Sequence, residues 1–168
     1  ETIMEATFYA SAAVALVSAL MVITRRNAVH ALLYLVVCLL SVAMLFFLLG
    51  AAFAAVLEVI VYAGAIVVLF VFVVMLLNVS RDTTVERQWL APRIWAGPAL
   101  LTAPLFIELL YLLRTGGPTE CAFGIGPVQV GESLFGPYLL AVELASLLLL
   151  AALVGAFHLA RPFQGYSQ

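Results

Sequence analysis

Inside long apolar stretches of this 168-residue chain, a few polar side chains are placed where they could do chemistry. The stretch "LEVIVYAGAIVVLFVFVVMLLN" carries Glu58, Tyr62 and Gly64 close to its start. "PYLLAVELASLLLLAALVGAFHLA" carries Glu143 and ends near His158, while Glu108 follows "TAPLFI" and His30 sits in "NAVHALLYL". Carboxylates and imidazoles in such surroundings are proton sites or structural hydrogen-bonders, because an acid near the centre of a bilayer costs roughly 3 kcal/mol on insertion scales.

For Glu58, two readings stand. About 11 Å from the middle of its stretch, it is either a carboxylate snorkelling to the interface or a partly buried acid facing other helices and usable as a proton site. Tyr62 follows it by four residues and so shares its helical face. Glu143 lies about 8 Å from the centre of its own stretch and must face protein or water rather than lipid, as a proton site or as a structural hydrogen-bonder. Glu108, toward the end of its stretch, reads as an interfacial acid. His30 and His158 lie at helix ends, where a histidine is more often a hydrogen-bonder than a shuttle.

The elements that position these residues follow from composition. The chain is 66% hydrophobic and 10% charged. A soluble domain is about 45–50% apolar and roughly 25% charged. Five apolar runs, 6–24, 28–49, 53–78, 91–113 and 137–160, each meet or nearly meet the ~20 residues that cross a hydrocarbon core. Their apolar residues are continuous rather than alternating, so they are helices and not barrel strands. The expected fold is an all-α integral membrane bundle of five transmembrane helices forming a single domain over 1–168. The first run lacks a basic leading region and a cleavage site, and is expected to be a retained helix.

The chain has no lysine; its basic residues are all arginine. Arg25, Arg26, Arg81, Arg87, Arg93 and Arg161 fall on one side of the predicted bundle and Arg114 on the other. The positive-inside rule then predicts an N-terminus outside, in the periplasm, and a C-terminus inside, in the cytoplasm. Trp89 and Trp95 flank the inner start of the fourth run, as interfacial anchors do. Short turns, "TRRNAV" and "LGAAF", make the first three helices antiparallel neighbours. Pro98 and Pro104 predict a kinked or rewound fourth helix. The glycine-rich connection "RTGGPTECAFGIGPVQVGESLFG" is expected to be the long irregular segment. Gly50, Ala51, Ala54 and Ala55, and Ala141, Ala145, Ala152 and Ala156, are candidate helix-contact positions.

There is no glycine-rich nucleotide loop, metal-ligand cluster, nucleophile triad or basic nucleic-acid patch, so no catalytic, cofactor-binding or metal site is expected in this chain. Cys38 and Cys121 have no metal or redox spacing, and no disulfide is expected. The absence of an internal repeat speaks against repeat-built secondary transporters. So little soluble mass reads as part of a larger assembly.

"NAVHALLYL", "LEVIVYAGAIVVLFVFVVMLLN" and "LFGPYLLAVELASLLLLAALVGAFH" together closely resemble subunit J of the bacterial proton-pumping NADH:quinone oxidoreductase, respiratory complex I, whose mitochondrial counterpart is NADH dehydrogenase subunit 6. The resemblance covers nearly the whole chain; "EVIVYAGAI" is its most specific block and the 4–5 connection its loosest. It implies a membrane-arm subunit in the bacterial inner membrane, packed against the H, A and K subunits. FMN, iron–sulfur clusters, NADH and a quinone would be used through other subunits. It also implies a π-bulge around Tyr62 to Gly64, whose gain or loss would turn the rest of the helix by about 100°. Such a turn is expected to swing Val68, Phe70, Phe72 and Met75 into or out of a facing gap, gating a water wire. Tyr62 and Gly64 would form the hinge, with Glu58, Glu143 and His30 as candidate proton or water sites. The alternatives are a purely structural scaffold in the same complex and a subunit of a related multisubunit cation/proton antiporter.

Overall fold

A computed structural model describes residues 2–76, 92–115 and 125–160. Arg81, Arg87, Trp89, Cys121 and Arg161, which entered the orientation and disulfide arguments, lie outside the described residues. Two compact units divide the chain, Glu1–Ile125 and Gly126–Gln168.

The first unit begins with α1 (Thr2–Thr24) and α2 (Ala28–Leu48). A tight turn joins them, and Asn27 caps α2 by accepting the Val29 N–H on Oδ1 at 2.9 Å. This satisfies one of the orphan donors that every helix start exposes. α2 ends in a Schellman turn. The Gly50 N–H donates to the Phe47 carbonyl at 3.1 Å and the Ala51 N–H to the Phe46 carbonyl at 2.9 Å. Gly50 occupies the left-handed region at φ 81°, where a Cβ is penalised.

The third span is one continuous rod with three windings. α3 (Ala52–Leu57) gives way to a π-helical segment (Glu58–Ile66), and α4 (Val67–Leu76) resumes the α form. At the far junction the Val67 N–H donates to the carbonyl of Tyr62, five residues back, as a π turn requires. The fourth span lies in α5 (Pro92–Thr115), helical through both Pro98 and Pro104. Pro98 removes the N–H donor of one turn, while the Thr102 hydroxyl adds a 2.7 Å bond to the Pro98 carbonyl.

The second unit holds a short helix, α6 (Pro127–Phe135), packed on α7 (Leu139–Ala160). α6 corrects the expectation of a wholly irregular 4–5 connection. Its start is set by Pro127 in the first turn and by Gln129, whose Oε1 accepts the Gly126 N–H at 3.1 Å. The glycines of this stretch obscured those signals. α7 starts two residues later than expected because Gly136, Pro137 and Tyr138 form a turn. The Tyr138 N–H reaches back to the Ser133 carbonyl at 3.1 Å.

Five helical stretches among the described residues are long and apolar enough to cross a membrane: Met4–Thr24, Ala28–Leu48, Ala52–Leu76, Trp95–Thr115 and Leu139–Ala160. They match the expected runs to within a few residues. In the first unit, Val14, Val37 and Leu105 form the buried core cluster, with Leu101 against it. Val14 is the middle residue of its span, Leu105 the middle of its own, and Val37 adjoins the middle of the second. This cluster therefore marks the bilayer midplane where α1, α2 and α5 meet.

Candidate functional site

The third span presents the residues singled out from the sequence. Gly64 is its middle residue, so the π segment straddles the midplane. Glu58 opens the segment and is half-buried, six residues or about 9 Å from that middle. Tyr62 is 50% exposed, and its carbonyl closes the π turn onto Val67. A Cβ added at Gly64 would stand 3.2 Å from the Val59 carbonyl oxygen. Glycine thus spares the segment a tight contact with its own backbone.

Beyond the π segment, Val67 is buried at 3% while Val68, Phe70, Phe72 and Met75 are all exposed on this chain. These four do not share one side. In the regular winding of α4, Val68, Phe72 and Met75 fall within about 60° of arc, whereas Phe70 points about 140–160° away from them. A rotation that turns the first three toward a gap turns Phe70 away from it.

On the opposite wall, Val59 and Ile60 of the π segment line an apolar groove of about 370 Å³ with Ala43, Met44, Leu105 and Phe106. Val59 and Ile60 thus face α2 and α5 across this groove. His30 is half-buried in the first turn of α2. Glu143 and His158 are exposed on α7, as are Ala141, Ala145, Ala152 and Ala156. Ala55, by contrast, is buried at 7% where the third span begins.

The polar interior of the first unit joins residues that the sequence singled out, Glu108 and Cys38, to serines that it did not. Ser11, Ser18 and Ser41 are fully buried. The Ser41 hydroxyl back-bonds to the Val37 carbonyl at 2.8 Å, and the Cys38 thiol approaches the Ala15 carbonyl at 3.6 Å. Ser11 donates to Glu108 Oε2 at 2.7 Å. Glu108 is half-buried inside the apolar span and holds this bond to α1, where the sequence predicts an interfacial acid. Tyr34, 6% exposed, turns its hydroxyl onto the backbone of Gly97, and the Arg25 guanidinium stands 5.3 Å from the centre of its ring. For the serines the sequence signal was the i, i+7 spacing of Ser11 and Ser18 on one helical face.

Among the described residues no cluster of His, Cys, Asp and Glu could hold a metal ion. Five helices long and apolar enough to span, with a few buried hydroxyls and one bonded carboxyl between them, define a multi-pass membrane protein. Comparison gives the particular family. Residues 18–159 match the model of NADH-ubiquinone/plastoquinone oxidoreductase chain 6, and the chain belongs to that family. NADH-quinone oxidoreductase subunit J of Pseudomonas aeruginosa is 56% identical over 164 residues, covering 94% of this chain and 97% of its own length. The protein of the same name in Escherichia coli K12 is 52% identical over 162 residues, covering 94% and 87%. That of Buchnera aphidicola from Schizaphis graminum is 48% identical over 160 residues, covering 94% and 98%.

Proposed function

We propose that this chain is a membrane-arm subunit of a bacterial proton-pumping NADH:quinone oxidoreductase, and that its third span is a gate coupling quinone reduction to proton movement. Family membership and the similarity to subunit J support the first part. The observation that carries the second is the π segment Glu58–Ile66, centred where the span crosses the midplane. Removing one residue of bulge from that segment would turn α4 by about 100° against its surroundings. Val68, Phe72 and Met75 on one side and Phe70 on the other would each be carried round by that angle, opening or closing a space for water. Gly64 makes the rewinding cheap, because no Cβ has to pass the Val59 carbonyl.

In this reading Tyr62 is the polar end of the gate, and Glu58, Glu143 and His30 are supporting proton or water sites. Subunits H, A and K cover the exposed faces of the spans, in an inner membrane with the N-terminus in the periplasm. FMN, iron–sulfur clusters, NADH and the quinone belong to other subunits of the complex, and this chain works as part of a single membrane domain.

The test is Gly64→Val in the assembled complex. The expected result is intact assembly with lowered coupled turnover, because a β-branched side chain resists the rewinding. An unchanged rate and proton-to-electron stoichiometry would remove the gate and leave the scaffold reading.

A further inference from the structure

From the geometry we infer a further proton-binding site in this chain, the carboxyl of Glu108 held by the hydroxyl of Ser11 between α1 and α5. It does not depend on the third span being a gate. Glu108 lies inside the apolar span Trp95–Thr115, about two turns from the described end of α5. Ser11, inside the span Met4–Thr24, meets it there and is itself fully buried. Their 2.7 Å bond satisfies one lone pair of Oε2 but brings no positive charge.

The titratable side chains around Glu108 supply no counter-charge either. On α1, Glu5 and Tyr9 are exposed, and on α2 the Cys38 thiol is turned to the Ala15 carbonyl. The third span contributes Glu58 and Tyr62, and α5 itself Tyr111 and, at its end, Arg114. No ion pair joins any of these groups to Glu108 among the described residues. A carboxylate at this depth is costly in lipid unless its charge is cancelled, and a proton cancels it without a partner. The step is a single proton transfer: the carboxylate takes one proton from water, becomes the neutral acid, and returns it by the same path.

On one side the midplane cluster of Val14, Val37 and Leu105 separates the carboxyl from the fully buried hydroxyl of Ser18, two turns along the same face of α1. Exchange with water therefore runs to the side of the cluster that holds Ser11, and the apolar plug prevents a continuous leak.

Infrared difference spectroscopy of the purified complex in lipid nanodiscs, stepped through pH, tests the assignment. Expected is a carboxylic-acid C=O band that grows as pH falls, is lost in Glu108→Gln, and moves to higher frequency in Ser11→Ala because the donated hydrogen bond is gone. Glutamine keeps the size and the acceptor that Ser11 needs. Should that variant nevertheless fail to assemble, the Ser11→Ala shift reads the same carboxyl. No band that responds to either substitution would overturn the proposal. So would a carboxylate band that Glu108→Gln removes but pH leaves unchanged, because that identifies a fixed ion pair with a neighbouring subunit.

Discussion

Gly97 offers the sharpest test of how the first unit is packed. A Cβ at this position would collide with the Tyr34 hydroxyl, and the ring carbon bearing that hydroxyl would lie 3.2 Å away. The ring has little room to retreat, being 6% exposed and flanked by the Arg25 guanidinium. Overpacking of this kind costs about 1–3 kcal/mol. Replacing glycine in a helix interior by alanine returns about 1 kcal/mol. Gly97→Ala should therefore lose up to about 2 kcal/mol despite the better helix former. In the Tyr34→Phe background the colliding atom is absent and only the 3.2 Å contact remains, which a few tenths of an ångström relieve. There the alanine should be neutral or stabilising, leaving a coupling of about 1–2 kcal/mol between the two positions. The assay is the heat-induced loss of this chain from the purified complex, measured for all four members of the cycle. Equal losses in both backgrounds, or none in either, would refute the packing of α2 on α5 through this pair.

Three further expectations follow from the same interior. Ser18→Ala should be neutral or raise the stability of the complex by about 1 kcal/mol, since the Ser18 hydroxyl is buried without a partner; a loss of that size in a melting experiment would instead reveal a bound water. Leu105→Ala should cost about 2–5 kcal/mol by leaving a cavity in the midplane cluster, read as the same heat-induced loss. Gly50→Ala should cost about 1–2 kcal/mol through its left-handed backbone at φ 81°, while Ala51→Gly beside it, where φ is −93°, should cost less in the same assay.

The five spans were legible in the sequence because the bilayer imposes a simple condition. A segment of about 20 apolar residues must satisfy its backbone internally, and a helix does so without help from the rest of the chain. The same local logic placed Glu58, Tyr62 and Gly64 together on the third span, and the resemblance of "EVIVYAGAI" supplied the unusual winding that no periodicity announces. The sequence also contained the start signals of α6 in Pro127 and Gln129, though its glycines outweighed them.

Tertiary structure decided which polar groups meet. Ser11 and Glu108 are 97 positions apart, and their bond depends on how α1 and α5 are set against each other in depth. Tyr34 and Gly97 likewise mean nothing singly; one is a common aromatic and the other a common small residue until α2 and α5 bring them together. Local composition fixes that a helix spans, since the solvent alone enforces it. Pairings across helices depend on rotation and register, and these are set only by the packing of whole helices against one another.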